Sequence, residues 1–445
     1  MLLYGTSQVN EKGHLEIGGC DTIDLAKRLG TPLYVVDEAW IREKMRRFIR
    51  AFEQTGLSFQ IGYASKAFST LAMCRIVEEE GFLLDVVSEG ELYTALQAGF
   101  PAERIYFHGN NKSLIELEMA LDANIALFVA DNFIELKMLQ GLAEQKGKIA
   151  RVILRVSPGV EAHTHTYIQT GQEDSKFGFD LASDQAYQAA QLAHQYSNIH
   201  MEGFHCHIGS QIFETEAFDL AIEKMAQLAK KCYELDGILT KILNVGGGFG
   251  IRYEDTDSPQ SIETYVKTIE QAVKKHFGCF SHIPEIWVEP GRSIVGEAGT
   301  TLYTIGTIKE VPGIRKYASV DGGMTDNLRT ALYQAKYEAI LANRANESVT
   351  ETVTIAGKCC ESGDILIWDL SLPIVQPGDI LAVSCTGAYN YSMANNYNRI
   401  PKPAVIFVQN GEADIIVERE TLQDLISHDR VPKRLLKQEK LLPTR

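Results

Sequence analysis

The chain has 445 residues, a length that allows two or three domains and excludes a single small module. Hydrophobic residues make up 45% and charged residues 23%, proportions that fit a folded globular protein and exclude wholesale disorder or a fibrous repeat. With 43 basic against 58 acidic side chains the net charge is −15, so neither nucleic acid nor an anionic membrane surface is an expected partner.

In chain order, Met1 to Cys20 lacks the basic start and apolar core of a secretion signal. No later apolar run approaches the roughly 18 residues of a membrane span, so a cytoplasmic protein is expected. Ile41, Met45, Phe48, Ile49 and Phe52 then share one face of a helix expected to pack across the floor of the succeeding domain. From Leu57 to Val295 short apolar runs alternate with amphipathic segments. The runs are Ser58 to Ala64, Leu83 to Ser88, Arg104 to His108, Asn124 to Val129, Arg151 to Val156, Met201 to His207, Lys241 to Gly246 and Glu285 to Glu289. Between the sixth and seventh, Phe218, Ile222, Met225, Ala229 and Cys232 form a helical stripe. Eight buried strands alternating with helices predict a closed (β/α)8 barrel, with an open doubly wound sheet as the alternative.

Glu161 to Phe179 is long, polar and unpatterned, as expected of a lid or of a mobile surface loop. After Val295 the texture changes to short alternating strands: Thr301 to Val311, Tyr317 to Val320, Thr352 to Ala356, Asp364 to Trp368 and Asp379 to Cys385. Asn410-Gly411 between Ala404 to Val408 and Ala413 to Val417 predicts a tight hairpin. The expected organisation is a barrel over residues 36–297 and an all-β domain built from residues 1–35 and 298–445. The basic cluster Lys433 to Lys440 reads as a solvated helix end or a frayed tail. Eight scattered cysteines without a Cys-x-x-Cys pair read as reduced thiols.

Reactive groups of a (β/α) barrel gather where strands end. Past the first strand comes Tyr63-Ala64-Ser65-Lys66, past the third His108-Gly109-Asn110-Asn111, and at the sixth His205-Cys206-His207-Ile208-Gly209-Ser210. The seventh ends in Gly246-Gly247-Gly248-Phe249-Gly250 and the eighth in Glu289-Pro290-Gly291-Arg292. Consecutive glycines at a strand end let backbone N–H groups reach a phosphate, and Ser210 and Arg292 would add a hydroxyl and a fixed positive charge. No lysine follows at the spacing of a Walker loop. Lys66, following a buried strand, would sit where desolvation favours a free amine able to condense with an aldehyde. A phosphorylated aldehyde joins the amine to the phosphate cup, and pyridoxal phosphate is that molecule. Glu289 could then face the pyridine nitrogen, and His207 could stack on the ring.

Taken singly, each cluster has an ordinary reading: an unliganded glycine turn, a surface lysine, an ion-paired carboxylate, a satisfied core histidine. A metal site formed by His205 and His207 with His163 and His165 is a weaker alternative, because no carboxylate or cysteine set completes it.

Taken together, these motifs resemble those of the diaminopimelate decarboxylase family of alanine-racemase-like barrel enzymes. The likeness covers nearly the whole chain and continues through Asp321-Gly322-Gly323-Met324, Asn327-Leu328-Arg329, Tyr333, Cys360-Glu361-Ser362-Gly363-Asp364, Gly387-Ala388-Tyr389 and Met393. The resemblance implies pyridoxal phosphate held covalently by Lys66, with His207 on the ring and Glu289 at its nitrogen. It places Ser210, Gly248, Gly291 and Arg292 at the phosphate. It makes Cys360 the proton donor, contributed by the partner subunit of a homodimer. It assigns the distal carboxylate of meso-diaminopimelate to Arg292, Arg329 and Tyr333, its distal ammonium to Glu361, and a cofactor or substrate contact to Tyr389. The implied reaction removes the D-centre carboxylate to give L-lysine, and no metal is implied. A racemase or another decarboxylase on the same barrel is the nearest alternative. Two positions depart from the family's usual pattern: Thr330 stands in place of proline and Phe68 in place of asparagine.

Overall fold

The computed structural model describes residues 3–160 and 175–436. Eight parallel strands close on one another: β1 (Phe59–Ala64), β2 (Leu83–Val86), β3 (Ile105–Phe107), β4 (Leu127–Ala130), β5 (Ala150–Ser157), β6 (Ile199–Cys206), β7 (Ile242–Asn244) and β8 (Glu285–Val288). Each pairs with the next in sequence, and β8 returns to β1 through Ile286 opposite Phe59. This is the closed barrel rather than the open sheet. The strands stop where the sequence supplies caps. Asn124, read as the start of β4, instead takes the left-handed conformation (φ 55°) that ends helix Leu114–Ala123. Thr70, Ser88, Ser113, Asn132 and Ser261 each accept the N–H three residues on, starting the helices that leave the same rim.

Helix Glu38–Glu53 corrects one expectation: it does not cross the floor. Seven helical connections join eight strands, which leaves one place in the outer ring empty beside β1, and this helix fills it. Arg42 and Arg46 bind Glu80 at the end of helix Leu71–Glu79 on one side, and Arg47 binds Glu263 of helix Ile262–Phe277 on the other. Its apolar stripe, Ile41, Met45, Phe48 and Phe52, is completely buried, with Phe48 against Phe249 and Phe52 stacked on Phe59. An amphipathic stripe states that one face is covered but not by what.

Strands Gln8–Val9, Leu15–Ile17 and Cys20–Asp21 form a small sheet of their own, Phe179–Asp180 pairs with β5, and the other strands form a mixed sheet around the long strand Gly299–Val311. Antiparallel to it run Leu33–Asp37, Arg315–Val320 and Ile380–Ser384, while Leu33–Asp37 and Ala404–Gln409 run parallel to each other. The hairpin Ala404–Gln409 to Glu412–Val417 turns on Asn410 (φ 52°) and Gly411 (φ 83°), both left-handed as a two-residue turn of this kind requires. The region also carries short helices, including Leu328–Tyr333. Within the basic cluster, Lys433–Leu435 is a single 3-10 turn, and residues 437–440 lie outside the described residues. Among the described residues no helix is long and apolar enough to cross a membrane.

One buried acid in the turn between strand Arg315–Val320 and helix Leu328–Tyr333 has a measurable consequence. Burial pushes Asp326 up to about 7, although Tyr303, Gly323 and Thr325 all donate to it. The unfolded carboxyl ionises at about 4, so between the two values the folded chain binds more protons. Its contribution to stability therefore falls as pH rises through that interval. Asp326→Asn is expected to flatten this decline, seen as a smaller drop in urea midpoint between about pH 4 and pH 8 than in the unsubstituted chain.

Candidate active site

The clusters at the strand ends converge on one cavity of about 960 Å³ over the C-terminal rim of the barrel. Lys66, His207, Ser210, Gly248, Glu289, Gly291, Arg292, Arg329, Tyr333 and Tyr389 all line it. Cys360 and Glu361 do not: they are exposed on the mixed-sheet side. Of the lid candidate, residues 161–174 lie outside the described residues, while Lys176 and Phe177 line the cavity.

Lys66 sits in a one-turn 3-10 segment, Ser65–Ala67, directly after β1. Its neighbours Ser65 and Ala67 are buried, but Lys66 itself is exposed to the cavity. The burial expected from its place after a buried strand is therefore absent, because the turn swings the side chain into the open lumen. The turn is clamped from the mixed-sheet side, where Tyr389 N–H and the Ser392 hydroxyl both donate to the Ala67 carbonyl, at 2.8 and 3.1 Å. Phe68, the residue departing from the family pattern, is 1% exposed and packs edge-on to Tyr391 and against Phe407, filling the seam between barrel and sheet. Phe68→Ala is expected to cost about 3 to 5 kcal/mol, measured by urea denaturation.

Glu289, at the end of β8, is the electrostatic centre. Its Oε1 accepts from Asn244 Nδ2 at 2.7 Å and lies 2.7 Å from His108 Nε2, while Oε2 lies 3.2 Å from His205 Nε2. Burial opposes charge on Glu289, but His108 and His205 outweigh it and hold the carboxyl well below the usual carboxylate range. Asp85 goes the other way. Burial first, and then the charge of Glu289, push it up to about 8. One carboxyl of the pair is therefore charged at neutral pH and the other holds a proton. Burial also drives the imidazoles down, His205 to about 4, with His108 and His207 below their ordinary value. The Gly247 N–H reaches His207 Nδ1 at 3.2 Å, an acceptor that only a neutral ring offers.

The metal alternative is not the grouping observed. His205 turns to Glu289 and His207 to Gly247, while His163 and His165 lie outside the described residues. His108, His205 and Glu289 do bring three possible ligand atoms within 4.8 Å of one another, but the short imidazole–carboxylate contacts are those of hydrogen bonds.

At the other end of the cavity the backbone opens. Gly246 and Gly248 have φ of 73° and 92°, and a Cβ on Gly248 would fall 2.4 Å from the Gly209 carbonyl oxygen. Asn244 ties this turn to Glu289, since its Oδ1 accepts the Gly246 N–H at 2.9 Å. Arg292 donates to Ser210 Oγ at 3.0 Å and to Tyr253 OH at 2.6 Å, while its buried Nε has no partner among the described residues. Arg329 is buried, donates to Tyr337 OH and lies over the Tyr253 ring at 4.8 Å. The Thr330 hydroxyl returns to the Asn327 carbonyl at 3.3 Å, so Arg329 faces the cavity without a proline beside it.

Sequence reasoning assigned no role to Asp85, Asn244, Tyr253 or Tyr337. Asp85 and Asn244 had a usable signal, each being a polar residue inside an otherwise apolar buried strand. The tyrosines had none.

Residues 38–296 match the family model of the pyridoxal-dependent decarboxylases, pyridoxal binding domain. The chain is 59% identical over 430 residues to the diaminopimelate decarboxylase of Bacillus subtilis, covering 96% of this chain and 98% of that one. It is 51% identical over 426 residues to that of Staphylococcus aureus, covering 95% and 99%. The crystal structure of a diaminopimelate decarboxylase from M. jannaschii in complex with L-lysine superposes with a TM-score of 0.91 at 37% identity, covering 98% of this chain and 100% of that one. The chain belongs to the diaminopimelate decarboxylase family. The cavity fits the cofactor of that family. An amine reaches the lumen at Lys66, a carboxylate held charged stands at Glu289, and Arg292, whose Nε–H has no partner among the described residues, lines the same cavity as the side-chain-free Gly248.

Proposed function

We propose that this chain binds pyridoxal phosphate and removes the D-centre carboxylate of meso-2,6-diaminopimelate, releasing carbon dioxide and L-lysine. The observation that carries the reading is the convergence on one cavity of Lys66, the charged Glu289 and two buried arginines, Arg292 and Arg329. When bound, the cofactor supplies an electron sink for the charge left on the substrate carbon. Lys66 binds the aldehyde. Ser210, Gly248, Gly291 and Arg292 hold the phosphate, and His207, neutral, covers the ring face. Glu289 keeps a proton at the ring nitrogen, which only a carboxylate charged at working pH does. Arg329, Tyr333 and Arg292 bind the distal carboxylate, a planar anion suited to the guanidinium fork. Glu361 takes the distal ammonium and Tyr389 adds a further contact. That a diaminopimelate decarboxylase from M. jannaschii was crystallised with L-lysine supports lysine as the product.

Cys360 delivers the proton to the carbon from a second copy of the chain. Its exposure, and that of Glu361, outside the cavity of their own chain supports a shared site in a homodimer. So do the exposed apolar side chains Tyr93, Leu114, Ile115 and Ile134 on helices at the barrel rim, which a partner would cover. Eight free cysteines support a reducing compartment, the cytoplasm.

Assay of the purified protein, supplied with pyridoxal phosphate, against meso-diaminopimelate and a panel of other amino acids tests the reading. Equimolar carbon dioxide and lysine from meso-diaminopimelate are expected. Racemisation without carbon dioxide, or release only from ornithine or arginine, would refute it.

A further inference from the structure

Asp364 closes the motif that begins at Cys360, and the proposed reaction gives it no task. The residue is 3% exposed. Oδ1 accepts the Met324 N–H at 2.7 Å and Oδ2 accepts the Cys359 N–H at 2.8 Å. Its own carbonyl accepts the Gly357 N–H at 2.9 Å. Two glycines make room for this carboxylate: a Cβ on Gly323 would fall 2.4 Å from Oδ2, and one on Gly357 2.1 Å from it. No side chain fits at either place while Asp364 stays where it is.

The two N–H donors belong to different loops. Met324 opens a turn in which the Gly323 carbonyl accepts from Asp326 at 3.1 Å and from Asn327 at 2.9 Å, and this turn runs straight into helix Leu328–Tyr333 with Arg329 and Tyr333. Cys359 precedes Cys360 and Glu361, which face away from the cavity of their own chain. A carboxylate accepting backbone N–H groups at both oxygens makes charge-assisted bonds of fixed direction, so displacement of one loop is transmitted to the other.

We propose that Asp364 is a positioning residue whose one carboxylate sets both the Arg329 loop in its own cavity and the Cys360-Glu361 loop presented to the partner chain. The proposal rests on the homodimer with shared sites. Each site then depends on two copies of Asp364, one behind the arginine that holds the substrate and one behind the thiol that protonates it.

Hybrid dimers separate the two arms. A Lys66→Ala chain paired with a Cys360→Ala chain contains one complete site, built from the barrel of the second and the thiol of the first. Asp364→Asn keeps the shape but turns one acceptor oxygen into a donor that cannot receive a backbone N–H. Placed in the Lys66→Ala chain, it is expected to lower kcat by about tenfold to a hundredfold; placed in the Cys360→Ala chain, to raise KM by a similar factor with a smaller change in kcat. If Asp364→Asn does not fold, Gly357→Ala, whose methyl displaces the same oxygen, is placed in each chain in turn and read in the same way. Values of kcat and KM within twofold of the parent hybrid in either placement would overturn the proposal. A parent hybrid with no activity would instead overturn the shared site.

Discussion

Replacing Lys66 by alanine is expected to abolish decarboxylation, by about a thousandfold or more, together with the visible absorption of the bound cofactor that borohydride bleaches. The chain should fold unchanged. Lys66 is exposed to the lumen, whereas the contacts that hold its turn run through the Ala67 carbonyl and the buried Phe68. Melting temperature is therefore expected to stay within a few degrees of the parent, and this separates loss of the amine from loss of structure. The truncated side chain leaves space in the cavity, so a small primary amine added at high concentration is expected to restore part of the rate. Persistence of the bleachable absorption in the variant would remove Lys66 from the mechanism.

Glu289→Gln is expected to leave that absorption in place and still lower kcat by about 10² to 10³, the loss typical of removing one preorganised electrostatic group. The reason lies in the count of donors. Asn244 can only donate to Glu289, because its oxygen is committed to the Gly246 N–H, and the two imidazoles offer N–H groups as well. A carboxylate accepts from all three, whereas an amide has one accepting atom and sets its NH2 against the remaining donors. Glu289 is held charged far below neutrality, so its own ionisation adds no limb to the rate profile of the parent near pH 7. Kinetics with kcat unchanged in the Gln variant would show that the ring nitrogen needs no anion here.

Much of this architecture was legible in the residues. The eight barrel strands could be read because strands buried on both faces appear as short apolar runs, and Asn410-Gly411 because two consecutive left-handed residues favour that pair. The rim clusters were visible because glycines, a lysine and histidines are out of place beside such runs. Partnership was not visible. The stripe from Ile41 to Phe52 marked a buried face, yet only the arginines flanking it on either side, paired with Glu80 and Glu263, show which slot the helix occupies. Exposure of Lys66 depends on a single turn. The task of Asn244 emerges only when the end of one strand meets a carboxylate from the next.

Strand Leu33–Asp37 lies between Gly299–Val311 and Ala404–Gln409. During synthesis on the ribosome its first neighbour emerges some 260 residues later and its second more than 360 later. The barrel, whose pairings all join strands close in sequence apart from its closure, can be complete well before then. Truncation anywhere between these two neighbours would leave a finished barrel bearing a bare sheet edge, a surface prone to recruit strands from other nascent chains.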